Sequence, residues 1–204
     1  MKWAGLAGGI GCGKSAVASR LTNRGAVCID VDQVSRSLQQ TGQPVFVSMV
    51  ERWGDQIVAQ DGALDRKAVA ALTFDDAAEM AVLMQLTSDA IDGRIESIVS
   101  EHASSDRVVV LVSALLGPQL YGIDGLMVVD APEEVAVERL TRTRGMSADE
   151  VRARMANQPS RAQRVAMADF LIDNGSDEAA LDEQAAQAWE WLQSLPPGHY
   201  RRRS

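Results

Sequence analysis

The segment Gly8-Gly9-Ile10-Gly11-Cys12-Gly13-Lys14-Ser15 fits the pattern G-x-x-x-x-G-K-[ST] and constrains this chain more than any other stretch. A short apolar run, Lys2 to Ala7, leads into it. A helical pattern leaves it, from about Gly13 to Arg24, with Val17 and Leu21 four apart. A strand that turns through glycines into a helix is the opening unit of a parallel α/β fold. The residue types also carry a chemistry. Glycines let backbone N–H groups approach an anion closely, and the helix that follows presents its positive end to the same point. In such a loop Lys14 reaches the β- and γ-phosphates of a nucleoside triphosphate, and the Ser15 hydroxyl is a ligand for Mg2+. The eight loop residues, with Ala16 after them, are therefore the expected ATP-binding set. Cys12 lies inside the loop. A helix N-terminus can lower a thiol pKa, but a small side chain that fills the loop is the simpler reading.

The alternation continues along the chain. Ala26 to Ile29 reads as a second buried strand and runs into Asp30-Val31-Asp32. A mostly helical middle follows, with turns at Gly42-Gln43-Pro44 and Asp61-Gly62 and a long helical stretch from Asp75 to Glu101. Val108 to Val112, Leu126 to Val129 and Phe170 to Ile172 are further strands, and Asp177 to Leu195 is a final amphipathic helix. Strands that alternate with helices predict a mostly parallel sheet covered on both faces, with ligands at the carboxyl ends of its strands. Gly8, Asp32, Ser113 and Asp130 all fall just past predicted strands.

Phosphoryl transfer needs an acceptor hydroxyl aligned with the γ-phosphate and, often, a carboxylate to take its proton. Asp32 is the first choice for that carboxylate, with Asp30 as cap of the following helix. Asp130 reads either as a second metal partner or as a helix cap, and the cap is preferred, with Pro132 in the first turn. Arg139, Arg142, Arg144, Arg152, Arg154, Arg161 and Arg164 crowd one stretch. They form either a solvated helix surface or a local anion site, for which the planar guanidinium is well suited.

The formal net charge of -8 disfavours a whole-surface nucleic-acid binder. No apolar run approaches a membrane span, and no export signal is visible at the N-terminus. Two cysteines make no disulfide framework and suit a cytoplasmic location.

With these residues in view, the chain resembles the dephospho-coenzyme A kinase family from about residue 5 to 185. The likeness runs through Leu6-Ala7 and the phosphate loop, where Cys12 replaces the usual serine, and Ile29-Asp30-Val31-Asp32 with Arg36. It continues through Asp61-Gly62-Ala63-Leu64-Asp65-Arg66, Val128-Val129-Asp130-Ala131-Pro132, Arg139-Leu140 and Gly145-Met146-Ser147. Gln158, Ala168-Asp169 and Ile172-Asp173-Asn174-Gly175 also follow the pattern.

The resemblance implies ATP-dependent phosphorylation of the ribose 3'-hydroxyl of dephospho-coenzyme A, with Mg2+. It implies a P-loop kinase-type sheet of about five strands, with a helical acceptor-binding region over 35–105, a lid over 139–165 and a tail over 196–204 expected to be flexible. Asp32 falls on the general base and Arg36 near the acceptor. The usual lid arginine falls on Thr143, so Arg142 or Arg144 would substitute for it. Two further departures lie on the acceptor side. Ser88-Asp89 stands where the family carries His-Pro, and Ala114-Leu115-Leu116-Gly117-Pro118 lacks the family's acid. A nucleoside or nucleotide kinase with another acceptor is one alternative. A weakened nucleotide-binding homologue that acts through a protein partner is the other, and the retained Lys14, Ser15, Asp32 and lid arginines argue against it.

Overall fold

Strand and helix follow one another as the apolar runs require. The computed structural model describes residues 1–114 and 121–200. The chain opens with β1 (Lys2–Gly8), α1 (Lys14–Asn23) and β2 (Val27–Asp30). Then come α2 (Val31–Leu38), α3 (Pro44–Trp53), α4 (Arg66–Thr73) and α5 (Ala77–Ser100). It closes with β3 (Val108–Val112), β4 (Leu126–Asp130), α6 (Glu133–Arg144), α7 (Ala148–Ala156), α8 (Arg161–Ala166), β5 (Phe170–Asp173) and α9 (Glu178–Ser194). Two compact units result: Met1–Asp30 with Val99–Ser204, and Val31–Ile98.

The first unit holds the sheet, which is parallel throughout in the order β2-β3-β1-β4-β5. The central strands are buried on both faces, in keeping with the apolar runs Val108 to Val112 of β3 and Leu126 to Val129 of β4. Ala4, Leu6, Val110 and Met127 pack with Val17 and Leu21 of α1 and Leu181 and Leu192 of α9. Each such aliphatic side chain contributes roughly 1.5–3 kcal/mol on burial. Alternate residues Trp3, Val109, Leu111 and Val128 are equally buried. The register aligns Gly8 with Val129, Asp30 with Val112 and Asp130 with Asp173. The carboxyl ends of all five strands thus form one edge, with the phosphate loop rising from the central strand.

One expectation changes in this unit. Asp130 is not a helix cap but the last residue of β4, and α6 begins at Glu133 with Pro132 at the N-cap. No side chain caps α6, and the Asp130 carboxylate is taken by Arg161 instead. The carboxyl-terminal stretch makes contacts with β1 and with Met1 before it as far as Tyr200. Gly198 donates its N–H to the Met1 carbonyl at 2.9 Å, and the Tyr200 ring packs edge-on against Trp3. Arg201 to Arg203, and Leu115 to Pro118 with the missing acid after Leu116, lie outside the described residues.

The second unit, Val31–Ile98, is helical around a small core of Val45, Met49, Trp53, Ile57 and Val69. The Asp61–Arg66 stretch is structural within it. Asp65 caps α4 by accepting from the Lys67 and Ala68 N–H groups, and Arg66 donates to Gln39 at 2.7 Å. The long helix α5 runs uninterrupted through Ser88-Asp89. A proline at that place would remove a helix hydrogen bond and clash with the preceding turn.

Candidate active site

The phosphate loop is shaped by two close approaches. Gly13 is the N-cap of α1 with φ 95°, and a Cβ there would lie 2.1 Å from the Asn174 amide nitrogen. Gly11 has φ 76°, and a Cβ there would lie 2.8 Å from the Ala136 carbonyl of α6. No other residue type meets both demands. The loop is also tied at Ile10, whose N–H donates to the Gln158 side chain at 3.0 Å. Its side chain joins Val137, Leu140 and Val151, the small apolar core of α6 and α7. The first turn of α1 leaves the Lys14 and Ser15 N–H groups without an intrahelical acceptor, as at any helix start. Lys14 folds back so that its ammonium donates to the Gly8 carbonyl at 2.9 Å and the Gly9 carbonyl at 3.2 Å. The positive charge is therefore held at the mouth of the loop.

Beside the loop lies a cavity of about 410 Å3, lined by Gly9, Ile10, Cys12, Asp130 and residues of α6 to α8, including Arg152, Arg161 and Arg164. Arg161 grips Asp130. Its Nε is 2.9 Å from both carboxylate oxygens and its Nη2 is 2.6 Å from Oδ2. That carboxylate pushes the Arg161 pKa up, so the guanidinium is firmly protonated. Arg164 lies over Gly9, where a Cβ would come within 2.9 Å of its Nη2. It is anchored through the Pro159 carbonyl. Arg152 stands 3.7 Å from Glu133 and Glu134. Three guanidiniums face the carboxylates of Asp130 and Glu133 in the lining, an arrangement that suits a polyanion.

The structure sorts the expected residues. Gly8 to Ser15 and Ala16 form the loop and the first turn of α1. Arg142 and Arg144 do not line the cavity. They stand at the exposed end of α6, and Arg142 faces Glu138 one turn back at 3.6 Å. The arginines that line the cavity are Arg152, Arg161 and Arg164, which come from α7 and α8. Asp32 and Arg36 both lie on α2 in the helical unit, exposed and four residues apart, hence on one face. Cys12 is buried against Gly8. Burial pushes its thiol up more than Lys14 and Arg164 pull it down, which removes the low-pKa reading.

The metal donors are few. Among the described residues no group of three or more His, Cys, Asp and Glu gathers to hold an ion. Ser15 is exposed, and Asp130 is engaged by Arg161. This fits Mg2+ carried in by a triphosphate, since that ion keeps several waters and needs few protein ligands.

The sequence offers the arginine stretch as a solvated surface or an anion site without saying which side chains line a cavity. Which arginines turn inward depends on where α7 and α8 begin, and that is set by capping boxes at Ser147–Glu150 and Ser160–Gln163. Both boxes are written in the sequence and are the signal that could have found them.

Comparison with known proteins gives a consistent picture. The model of the dephospho-CoA kinase family matches residues 2–179. A dephospho-CoA kinase of Thermobifida fusca is 39% identical over 190 residues, which cover 93% of this chain and 95% of that one. One of Streptomyces avermitilis is 37% identical over 189 residues, 91% of each chain. The solved structure of a dephospho-CoA kinase from Campylobacter jejuni superposes with a TM-score of 0.63 at 16% identity, covering 93% of this chain and 96% of that one. The last comparison bears on the fold alone.

Proposed function

The chain belongs to the dephospho-CoA kinase family, and from that premise we propose how its residues carry the family's reaction. It transfers the γ-phosphoryl group of ATP to the ribose 3'-hydroxyl of dephospho-CoA, giving CoA and ADP in the last step of CoA biosynthesis. The observation that carries the residue assignment is the arginine-lined cavity that opens on the phosphate loop.

In this reading the loop N–H groups and Lys14 hold the β- and γ-phosphates, and Arg161 and Arg164 bound the anion from the lid side. Positioning and charge stabilisation are most of what such a transfer requires of a protein. The Ser15 hydroxyl would hold Mg2+, which would supply further neutralisation of the triphosphate charge. Asp32 accepts the proton of the 3'-hydroxyl, and Arg36, on the same face of α2, orients the acceptor. The region over 35–105 receives dephospho-CoA, and the segment over 139–165 covers ATP and keeps water from it. Arg142 and Arg144 then serve the lid surface rather than the phosphates.

No helix among the described residues is long and apolar enough to cross a membrane. The free Cys12 and Cys28 suit a reducing cytoplasm, and the net charge of -8 disfavours a nucleic-acid partner.

The test is a coupled ADP-release assay with Mg2+ and ATP, comparing dephospho-CoA with a panel of nucleosides and nucleotides. Release with dephospho-CoA alone, with CoA identified by mass, is the expected result. Release with a different acceptor would overturn the acceptor assignment and leave the donor site intact.

A further inference from the structure

Asn174 is a buried polar residue that the mechanism above does not use, and it is 5% exposed. Its backbone N–H donates to the Asp130 carbonyl at 2.8 Å, which fixes it at the end of β5 beside β4. Arg139 of α6 donates to its carbonyl at 2.9 Å and reaches its side-chain oxygen at 3.4 Å. With its oxygen so engaged, the amide turns its Nδ2 toward the phosphate loop and donates to the Cys12 carbonyl at 2.8 Å. The contact bridges 162 residues of sequence.

That carbonyl belongs to the peptide joining Cys12 to Gly13. The peptide is trans, as all are among the described residues, so its C=O and N–H point in opposite directions. Holding the Cys12 oxygen toward Asn174 turns the Gly13 N–H away from it. Among the described residues no acceptor in this protein takes that N–H. The left-handed Gly13 keeps the same orientation and leaves Nδ2 room to approach.

We propose that Asn174 is a positioning residue for the donor nucleotide: it locks the Cys12–Gly13 peptide so that the Gly13 N–H is aimed at a phosphate oxygen. The inference rests on the nucleotide-binding part of the function proposed above and is independent of the acceptor. A single amide aimed in advance costs nothing to reorient when the anion arrives, whereas a free peptide would sample both directions. Arg139 acts one step further back, by setting which end of the Asn174 amide faces the loop.

The experiment uses the full chain. Asn174→Asp keeps the shape but puts an acceptor against the Cys12 carbonyl, and Asn174→Ser keeps a donor too short to reach it. ADP affinity is measured by calorimetry, and the Gly13 amide proton is followed in a glycine-labelled NMR spectrum as ADP is added. Compared at a temperature where each is folded, both variants should bind ADP about tenfold or more weakly than the unmodified chain and lose most of the ADP-induced shift of the Gly13 amide. Should the aspartate fail to fold, the serine variant carries the same test. A folded variant with ADP affinity within about twofold of the original and the Gly13 response intact would overturn the proposal, leaving Asn174 a support for the fold only. An unmodified chain that takes up no ADP would sink the nucleotide reading, and this inference with it.

Discussion

In the sheet unit the groups proposed to meet ATP are largely backbone N–H groups of a loop that Asn174 and Gln158 hold by hydrogen bonds and that the Ala136 carbonyl of α6 crowds at Gly11. In the helical unit the groups proposed to meet the acceptor are Asp32 and Arg36, two exposed side chains on one face of an eight-residue helix. A side chain added at Gly11 or Gly13 would force the first arrangement to move. The second can change its chemistry while α2 stays folded. The cores differ in the same sense. Trp3, Leu6, Leu111 and Met127 are fully buried in the sheet unit and Met49, Ile57 and Ile95 in the helical one, but four of the five exposed large apolar side chains among the described residues, Val47, Phe74, Met80 and Met84, belong to the helical unit. Departures from the family pattern can accumulate on the helical side at little structural cost, and Ser88-Asp89 is one that the continuous α5 accommodates.

The sharpest way to break this contrast is at its rigid end. Lys14→Ala removes the ammonium held over the Gly8 and Gly9 carbonyls. It should lower kcat/KM about a thousandfold, the scale of one charge aimed at a developing anion. Steady-state turnover with ATP and dephospho-CoA measures it, and unchanged turnover would remove the loop from the chemistry. On the helical side, Asp32→Asn should lower kcat about a hundredfold with ADP affinity unmoved, because only proton acceptance is lost. If ADP affinity fell and turnover held, Asp32 would be a nucleotide contact and the division of labour between the units would fail. A smaller effect belongs to the lid. Arg161→Met leaves the Asp130 carboxylate without its guanidinium at the cavity wall. The KM for ATP should rise several-fold while that for dephospho-CoA stays put. Equal rises in both would mean that the pair serves the fold generally.

The same contrast explains what the sequence could reveal. The loop, the five strands and Asp32 at the start of α2 are local patterns, set by glycine spacing and apolar runs, and the structure shows them within a residue or two of the reading. The Asp130–Arg161 pair and the Asn174 amide bond are long-range contacts. Asp130 looked like a cap because a carboxylate before a proline and a helix usually is one. Its pairing with a residue 31 positions on depends on how α8 returns to the sheet. Asn174 carried even less local signal, since its partner is a backbone carbonyl, invisible in any residue pattern. The inward arginines shifted from Arg142 and Arg144 to Arg152, Arg161 and Arg164 for a related reason. Helix phase fixes which side chains face a cavity, and phase follows from capping boxes whose register is easy to misjudge by a few residues.

The mildest prediction concerns Cys12, the one loop residue that differs from the family's serine. Its side chain packs in the core beside Gly8, and burial holds the thiol above its ordinary pKa in spite of Lys14 and Arg164 nearby. A thiol shifted upward carries less thiolate at any pH below its titration than an exposed cysteine does. Alkylation of the folded protein by iodoacetamide near pH 8 should therefore be slow at Cys12, and faster in denaturant. A Cys28→Ser background isolates the signal, since Cys28 is also shifted upward by burial. The linkage has the same sign: the raised folded pKa contributes stability that is full below the unfolded value and fades as pH rises through the folded one. Cys12→Ser should leave turnover within about twofold, because serine nearly matches the volume and the loop's anion contacts are made by backbone. Rapid labelling of the folded chain at neutral pH, slowed by added ADP, would instead make Cys12 a reactive thiol facing the nucleotide. The phosphate loop would then hold one exposed, exchangeable side chain, and the contrast between the two units would lose its clearest example.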